Sequence, residues 1–256
     1  MAILGAFAFN TTASLLHEMS VRQLNALAES KKRDLSKVQE GWRDQLKLIK
    51  SRTQLREDLK AYVDHPTQGD ISSVSRIIED AVSAVDDVDK IRILDLQGNE
   101  LVSYGTAPSV GKVEIPSDPT SVVYDDTLID SAGRPVVVFS SLLSLDGKPV
   151  GVIEGTFNTR KIESITANYT GLGKTGEVLV VMKYDKSVQL LNPVRHESGD
   201  ILARIPLSKA SAAARQALAA RPPAQEWLTS VDYRGVKVWA ATRYLPELRW
   251  GIVVKV

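Results

Sequence analysis

A chain of 256 residues with 43% apolar and 25% charged side chains is ordinary for a globular protein and long enough for one large core or two modest ones. Its 32 basic and 31 acidic residues leave a formal charge of +1, which argues against the basic footprint of a nucleic-acid binder. Cysteine is absent, so disulfides, thiol catalysis and cysteine-built zinc sites are excluded.

The chain begins with a short apolar run, Ala2 to Phe9. It falls well short of the ~20 apolar residues of a spanning helix. It lacks both the basic flank and the small-residue cleavage site of a secretory signal. The run reads either as an ordinary apolar helix start or as the outer end of a transmembrane helix cut at Met1. From Ser14 to Val63 there is no proline and a single glycine, Gly41. Leu24, Ala28, Leu35, Val38, Trp42 and Ile49 recur on three- and four-residue steps, interrupted by Lys31 and Gln45. This predicts one amphipathic helix of roughly 75 Å. That is longer than one side of a domain of this size, so the helix lies along two stacked domains, pairs with its copy in a homodimer, or both. Pro66 ends it, because the residue before a proline is pushed out of helical geometry.

A second helix is expected from Ser72 to Val85, with Val74, Ile77, Ile78 and Val82 on one side. Three hairpins follow, over residues 91–104, 124–142 and 142–157, and a fourth spans 228–245. Each reverses at a turn containing glycine. Between the first two, residues 105–121 form a loop with three prolines, long enough to be functional rather than a simple connection. A helix from Thr159 to Tyr169 leads into YTGLGKTGEVLVV at 169–181. Gly171-x-Gly173-x-x-Gly176 matches a dinucleotide fingerprint on paper. A phosphate cradle needs strand, glycine loop and helix in that order, whereas here a helix precedes and a strand follows. A helix end turning into a new sheet fits instead. Strands are expected at Glu177–Lys183 and Val188–Asn192, then a helix near 211–220, then the last hairpin and strand. Helix, strand pair, irregular stretch and meander thus occur twice. The fold class is α+β: a long N-terminal helix carrying two PAS-like antiparallel sheets, divided as residues 1–65, 66–168 and 169–256.

The ordered set TGLGKTGEVLVV, LLNPVRH at 190–196, IPL at 205–207, VDYRGVKVWAATRYLP at 231–246 and WGIVVKV at 250–256 resembles the second half of a double Cache domain. This is the extracytoplasmic sensor of bacterial and archaeal histidine kinases, diguanylate cyclases and chemoreceptors, and the resemblance covers roughly residues 14 to 256. It implies a membrane-distal subdomain at 66–168, a membrane-proximal one at 169–256, and a periplasmic or extracellular address on an inner-membrane receptor.

Catalytic groups are not in evidence. His17, His65 and His196 lie far apart, with neither HExxH nor GxSxG spacing. His17 and His65 are expected to be solvated. Asp86–Asp87 and Asp125–Asp126 are sequence neighbours that cannot share a proton within a strand, so solvated turns are their default. No enzyme, cofactor or metal site is expected.

Ligand binding is better supported. By the resemblance, the 105–121 loop roofs the concave face of the distal sheet. The inward candidates below it are Tyr124, Asp126, Arg134, Phe139, Ser141 and Thr156, of which only one parity per strand can face the ligand. Family members resembling this chain bind amino acids through tyrosine, arginine, tryptophan and aspartate. Here no tryptophan lies between Tyr62 and Gly173, and Thr156 stands where the fifth strand commonly ends in aspartate. Glu154 shares its strand face. An α-amino acid is therefore disfavoured, leaving a carboxylate, small polar or neutral ligand. In residues 192–196, Arg195 beside His196 could hold an anion, but a structural role in which Asn192 and Arg195 satisfy backbone carbonyls is favoured. Trp239 and Trp250 are expected as core anchors. The leading reading is a sensor region whose distal pocket binds a small molecule and signals through helices. The alternative is a soluble binding or scaffolding protein that assembles through its long helix without a ligand.

Overall fold

The computed structural model describes residues 2–65, 70–196, 203–219 and 227–256. Two compact units are present, one of residues 1–36 and 162–256, the other of residues 37–161. Helix α1 (Ala2–Lys50) contributes to both.

The expected single helix is two helices, α1 and α2 (Thr53–Asp64). Arg52 between them is extended at φ −61° and ψ 115°. The cause lies in Ser51-Arg52-Thr53, since short hydroxyl side chains compete for backbone groups. Ser51 Oγ donates to the Leu48 carbonyl at 2.8 Å, while the Arg56 guanidinium donates to the freed Ser51 carbonyl and to Thr53 Oγ1, both at 3.3 Å. The apolar stripe behaves as its spacing predicts: Leu24, Ala28, Leu35, Trp42 and Ile49 are buried, and Val38 is half-buried.

The unit of residues 37–161 adds α3 (Ser72–Ala84) and strands β1 (Val88–Leu94), β2 (Glu100–Gly105), β3 (Val123–Ile129), β4 (Pro135–Leu145) and β5 (Lys148–Asn158). They form an antiparallel sheet in the order β2-β1-β5-β4-β3. β4 and β5 are buried on both faces, which is why they read as continuous apolar runs rather than as alternation. Gly98, Gly133 and Gly147 take positive φ at the three hairpin turns, and Asp146 beside Gly147 does too, giving the paired left-handed residues of a two-residue turn.

The other unit holds α4 (Arg160–Ala167) and strands β6 (Glu177–Tyr184), β7 (Ser187–Leu190), β8 (Arg204–Pro206), β9 (Trp227–Val231), β10 (Lys237–Leu245) and β11 (Trp250–Lys255), with α5 (Ala212–Ala217) between β8 and β9. The sheet order is β8-β7-β6-β11-β10-β9, the same arrangement as the first sheet with β8 added at one edge. β8 is three residues long, too short to show a period in the sequence. Ser211 caps α5, its hydroxyl accepting from the Ala214 amide. The glycine stretch links α4 to β6, as its order demands. A Cβ on Gly176 would lie 2.3 Å from the Leu172 carbonyl oxygen, so the chain there admits only glycine.

Lys31, an interruption of the stripe in sequence terms, is buried. Its ammonium donates to the carbonyls of Ile165 at 2.6 Å and Asn168 at 2.9 Å, at the C-terminal end of α4. A cation there satisfies acceptors that the helix leaves open and complements its dipole. Burial holds the Lys31 ammonium below its ordinary pKa. Lys31→Ala is expected to lower stability by about 1–3 kcal/mol by orphaning both acceptors. Urea unfolding should show a lower midpoint at unchanged slope.

Candidate ligand-binding site

Strand alternation divides the first sheet into two environments. On the helix side, Phe139 of β4 lies against Trp42 of α1 (ring centroids 6.4 Å), Phe157 (5.9 Å) and Tyr124 (5.9 Å). Ser141, two residues on, accepts from the Lys50 ammonium at 2.7 Å and donates to the Ser121 carbonyl at 2.5 Å. On the opposite side, Leu94, Leu142 and Val152 pack with Val113 of the long loop. The loop is fastened along the same face: Thr156 Oγ1 donates to the Pro108 carbonyl at 3.2 Å, and Arg92 Nη2 to that of Val110 at 2.6 Å.

The polar centre beneath the loop is a buried pair. Arg92 of β1 faces Glu154 of β5 directly across the ladder and grips it with two bonds, 2.6 Å from Nε and 2.7 Å from Nη2. Glu154 is 1% exposed. The guanidinium fork matches the carboxylate, so the two charges compensate each other out of water.

Asp125 stands beside this pair because of a bulge. The β3–β4 register shifts between Tyr124 and Asp126, leaving Asp125 as the extra residue. The bulge turns its carboxyl toward Ser140, whose hydroxyl donates to Oδ1 at 3.0 Å. Asp125 Oδ2 is buried and accepts no hydrogen bond from any described residue. Burial pushes this carboxyl up to about 7; the Ser140 bond opposes the rise, the Glu154 charge adds to it, and Arg92 pulls it back. The hydroxyl of Ser109, between the two loop carbonyls held by Thr156 and Arg92, is likewise buried without a partner among the described residues.

The six residues expected to converge do not do so. Thr156 lies under the loop. Phe139, Tyr124 and Ser141 belong to the helix side, with Tyr124 Oη 2.8 Å from Thr127 Oγ1. Asp126 is exposed on edge strand β3 and accepts from the Thr127 amide. Arg134 is exposed in the β3–β4 turn, where it pairs with Asp130 at 3.0 Å. The parity of β4 and the bulge in β3 account for the division. The polar groups gathered near the loop are instead Arg92, Ser109 and Asp125; alternation along β1 signals Arg92, and nothing in the sequence marks the bulge that turns Asp125 inward.

Other expectations divide likewise. Asp87 is buried rather than solvated, taking the Gln45 amide at 3.3 Å and an ion pair with Lys161. His17 is half-buried, edge-on to Trp227 at 5.0 Å and Trp239 at 4.6 Å, so aromatic packing replaces the expected solvation. Trp250 is fully buried and Trp239 half-buried. The 192–196 cluster is structural as expected: Asn192 donates to the Val178 and Pro193 carbonyls, Arg195 to those of Gly173 and Gly176.

Neither a protein-family model nor a curated protein matches the sequence. Among solved structures, it is similar to the ligand-binding domain of the Campylobacter jejuni chemoreceptor Tlp3 in complex with 4-methylisoleucine (TM-score 0.61, 10% identity, 94% of this chain and 92% of that one). It is also similar to that of the Pseudomonas fluorescens chemoreceptor CtaA with L-leucine (0.54, 13%, 95% and 97%). A third is that of the Pseudomonas aeruginosa amino acid chemoreceptor PctC with GABA (0.53, 15%, 92% and 99%). The chain therefore shares the fold of these chemoreceptor ligand-binding domains, a long helix with two antiparallel sheets.

Asp125 gives the site a pH signature. Its folded pKa of about 7 exceeds the ordinary 3.8, so the folded state holds the proton more tightly. The stability this contributes is fully present below the ordinary value and is lost as pH rises through about 7. Asp125→Asn should remove the loss. Thermal unfolding at pH 5 and pH 8 is expected to show the variant gaining on the wild type as pH rises, whereas a constant difference would mean a solvated carboxyl.

Proposed function

We propose that this chain is the extracytoplasmic ligand-sensing region of a transmembrane signal-transduction receptor, binding a small amine-bearing molecule beneath the 106–122 loop of the first sheet. The observation that carries the reading is the buried, unpartnered Oδ2 of Asp125. A buried carboxyl oxygen without a donor loses free energy that an ammonium or amide N–H would restore. The Ser109 hydroxyl offers a second polar contact, and Thr156 helps to hold the roof. Asp125 supplies the carboxylate that Thr156 lacks, which sets aside the argument against α-amino acids. The ligands named for the three neighbours all carry an amine.

The receptor types implied by the resemblance, histidine kinase and diguanylate cyclase, stand in this proposal beside the chemoreceptor type of the neighbours. A periplasmic address on the inner membrane belongs to the same reading. Among the described residues no helix is long and apolar enough to cross a membrane. The proposal also includes a homodimer through α1, supported by Leu15, Leu16 and Met19, which are 55%, 60% and 67% exposed. Leu15 and Met19 are one turn apart and form an apolar strip that a second copy would cover.

A thermal-shift screen of amino acids, amines and organic acids tests the ligand class, since a ligand at 100 times its Kd adds about 2.7 kcal/mol. Amine-bearing compounds are expected to stabilise. Asp125→Asn should weaken a hit at least tenfold, and Arg134→Ala, in its exposed turn, should leave it unchanged. Stabilisation by organic acids alone would sink the proposal.

Sedimentation velocity at rising concentration tests the dimer. A monomer–dimer shift is expected for the wild type, and Leu15→Glu combined with Met19→Glu should abolish it. A wild type that stays monomeric near millimolar concentration excludes this interface.

A further inference from the structure

The second sheet holds a cavity of about 480 Å³, within the size range of small-molecule pockets. Its walls are Leu179 and Val181 of β6, Val188 and Leu190 of β7, and Val253 of β11, closed from above by α5. The helix leaves room because it presents Ala213 and Ala214 where larger side chains would fill the space. Protein interiors are otherwise close-packed, with few voids larger than a water molecule. The part of the cavity walled by β6, β7, Val253 and α5 is apolar and suits hydrocarbon better than water.

The polar end of the cavity is already neutralised. The Lys255 ammonium, 2% exposed, lies 2.7 Å from Glu177 Oε1 and 2.7 Å from Asp232 Oδ2. Asp232 also holds Arg234 at 2.6 Å, so two cations meet two carboxylates. These partners hold the Asp232 carboxyl well below its ordinary range despite burial. Two further lysines line the cavity, Lys209 and Lys237. Both are exposed, and neither has an ion-pair partner among the described residues. Among the described lining residues, the charge left without an ion-pair partner is therefore positive and is carried by these two exposed lysines.

We propose that this cavity is a second ligand site, distinct from the one under the 106–122 loop, and that it takes an aliphatic carboxylate of medium chain length. The hydrocarbon body fills the space between β6, β7, β11 and α5, and the carboxylate lies at the mouth between Lys209 and Lys237. The inference rests on the cavity and its charges, and holds whether or not the first site binds an amine.

Calorimetric titration of the protein with hexanoate, octanoate and decanoate tests it, with octan-1-ol and octylamine as head-group controls. Saturable binding at one site is expected for at least one of the acids, with octan-1-ol at least tenfold weaker and octylamine not bound. Ala213→Leu fills the void and should raise the thermal midpoint while abolishing binding. Lys209→Glu combined with Lys237→Glu, both on the surface, should keep the fold and weaken binding at least tenfold, so the test stands even if Ala213→Leu fails to fold. Absence of binding at millimolar acid overturns the proposal. So does equal binding of octylamine, or binding unaffected by the paired lysine substitutions.

Discussion

A strand turns its side chains alternately to its two faces, and both faces of β4 and β5 are covered. The buried residues in the middle of these strands are thereby committed either to the helices or to the space under the long loop. Phe139 and Ser141 are committed one way, Ser140 and Leu142 the other. One residue of shift would exchange the two sets and place phenylalanine rings in the polar site. The bulge in β3 is the local exception that brings Asp125 to the covered face.

Each sheet also carries a buried ion pair at the same place in its topology. Arg92 on β1 faces Glu154 on β5, and Glu177 on β6 faces Lys255 on β11. These strands are equivalent in the two strand orders, and the signs of the charges are exchanged between them. Removing one partner of such a pair leaves a charge stranded away from water, at roughly 3–5 kcal/mol. The pairs lie directly opposite each other in the register of the central strands and place charged groups inside sheets whose cores are mainly apolar.

What covers the sheet differs between the units, and with it the chemistry each offers. In residues 37–161 an irregular loop lends carbonyls and a hydroxyl to a small polar site around Asp125. In the other unit a short alanine-rich helix leaves an apolar hollow. One strand plan thus presents a hydrogen-bonding environment in one case and a hydrocarbon environment in the other.

The sequence by itself determined the elements whose signals are local. The stripe from Leu24 to Ile49, the glycine turns at 98, 133, 147 and 235, and the order of helix and strand around Gly171–Gly176 led to two PAS-like sheets and a long helix, and excluded a nucleotide loop. The break at Ser51–Arg52 left only the weak trace of two hydroxyl residues. The site was decided by tertiary structure. Which parity of β4 faces the loop, and whether Asp125 is solvated or buried, depend on a register shift and on what packs above the sheet, neither of which any single segment records. Lys31 and Asp87 show the same limit: as letters they are surface charges, and they are buried only because a helix end and a partner side chain from distant parts of the chain meet them there. Periodicity is written along the chain, whereas the environment of a charge is set by atoms remote from it in sequence.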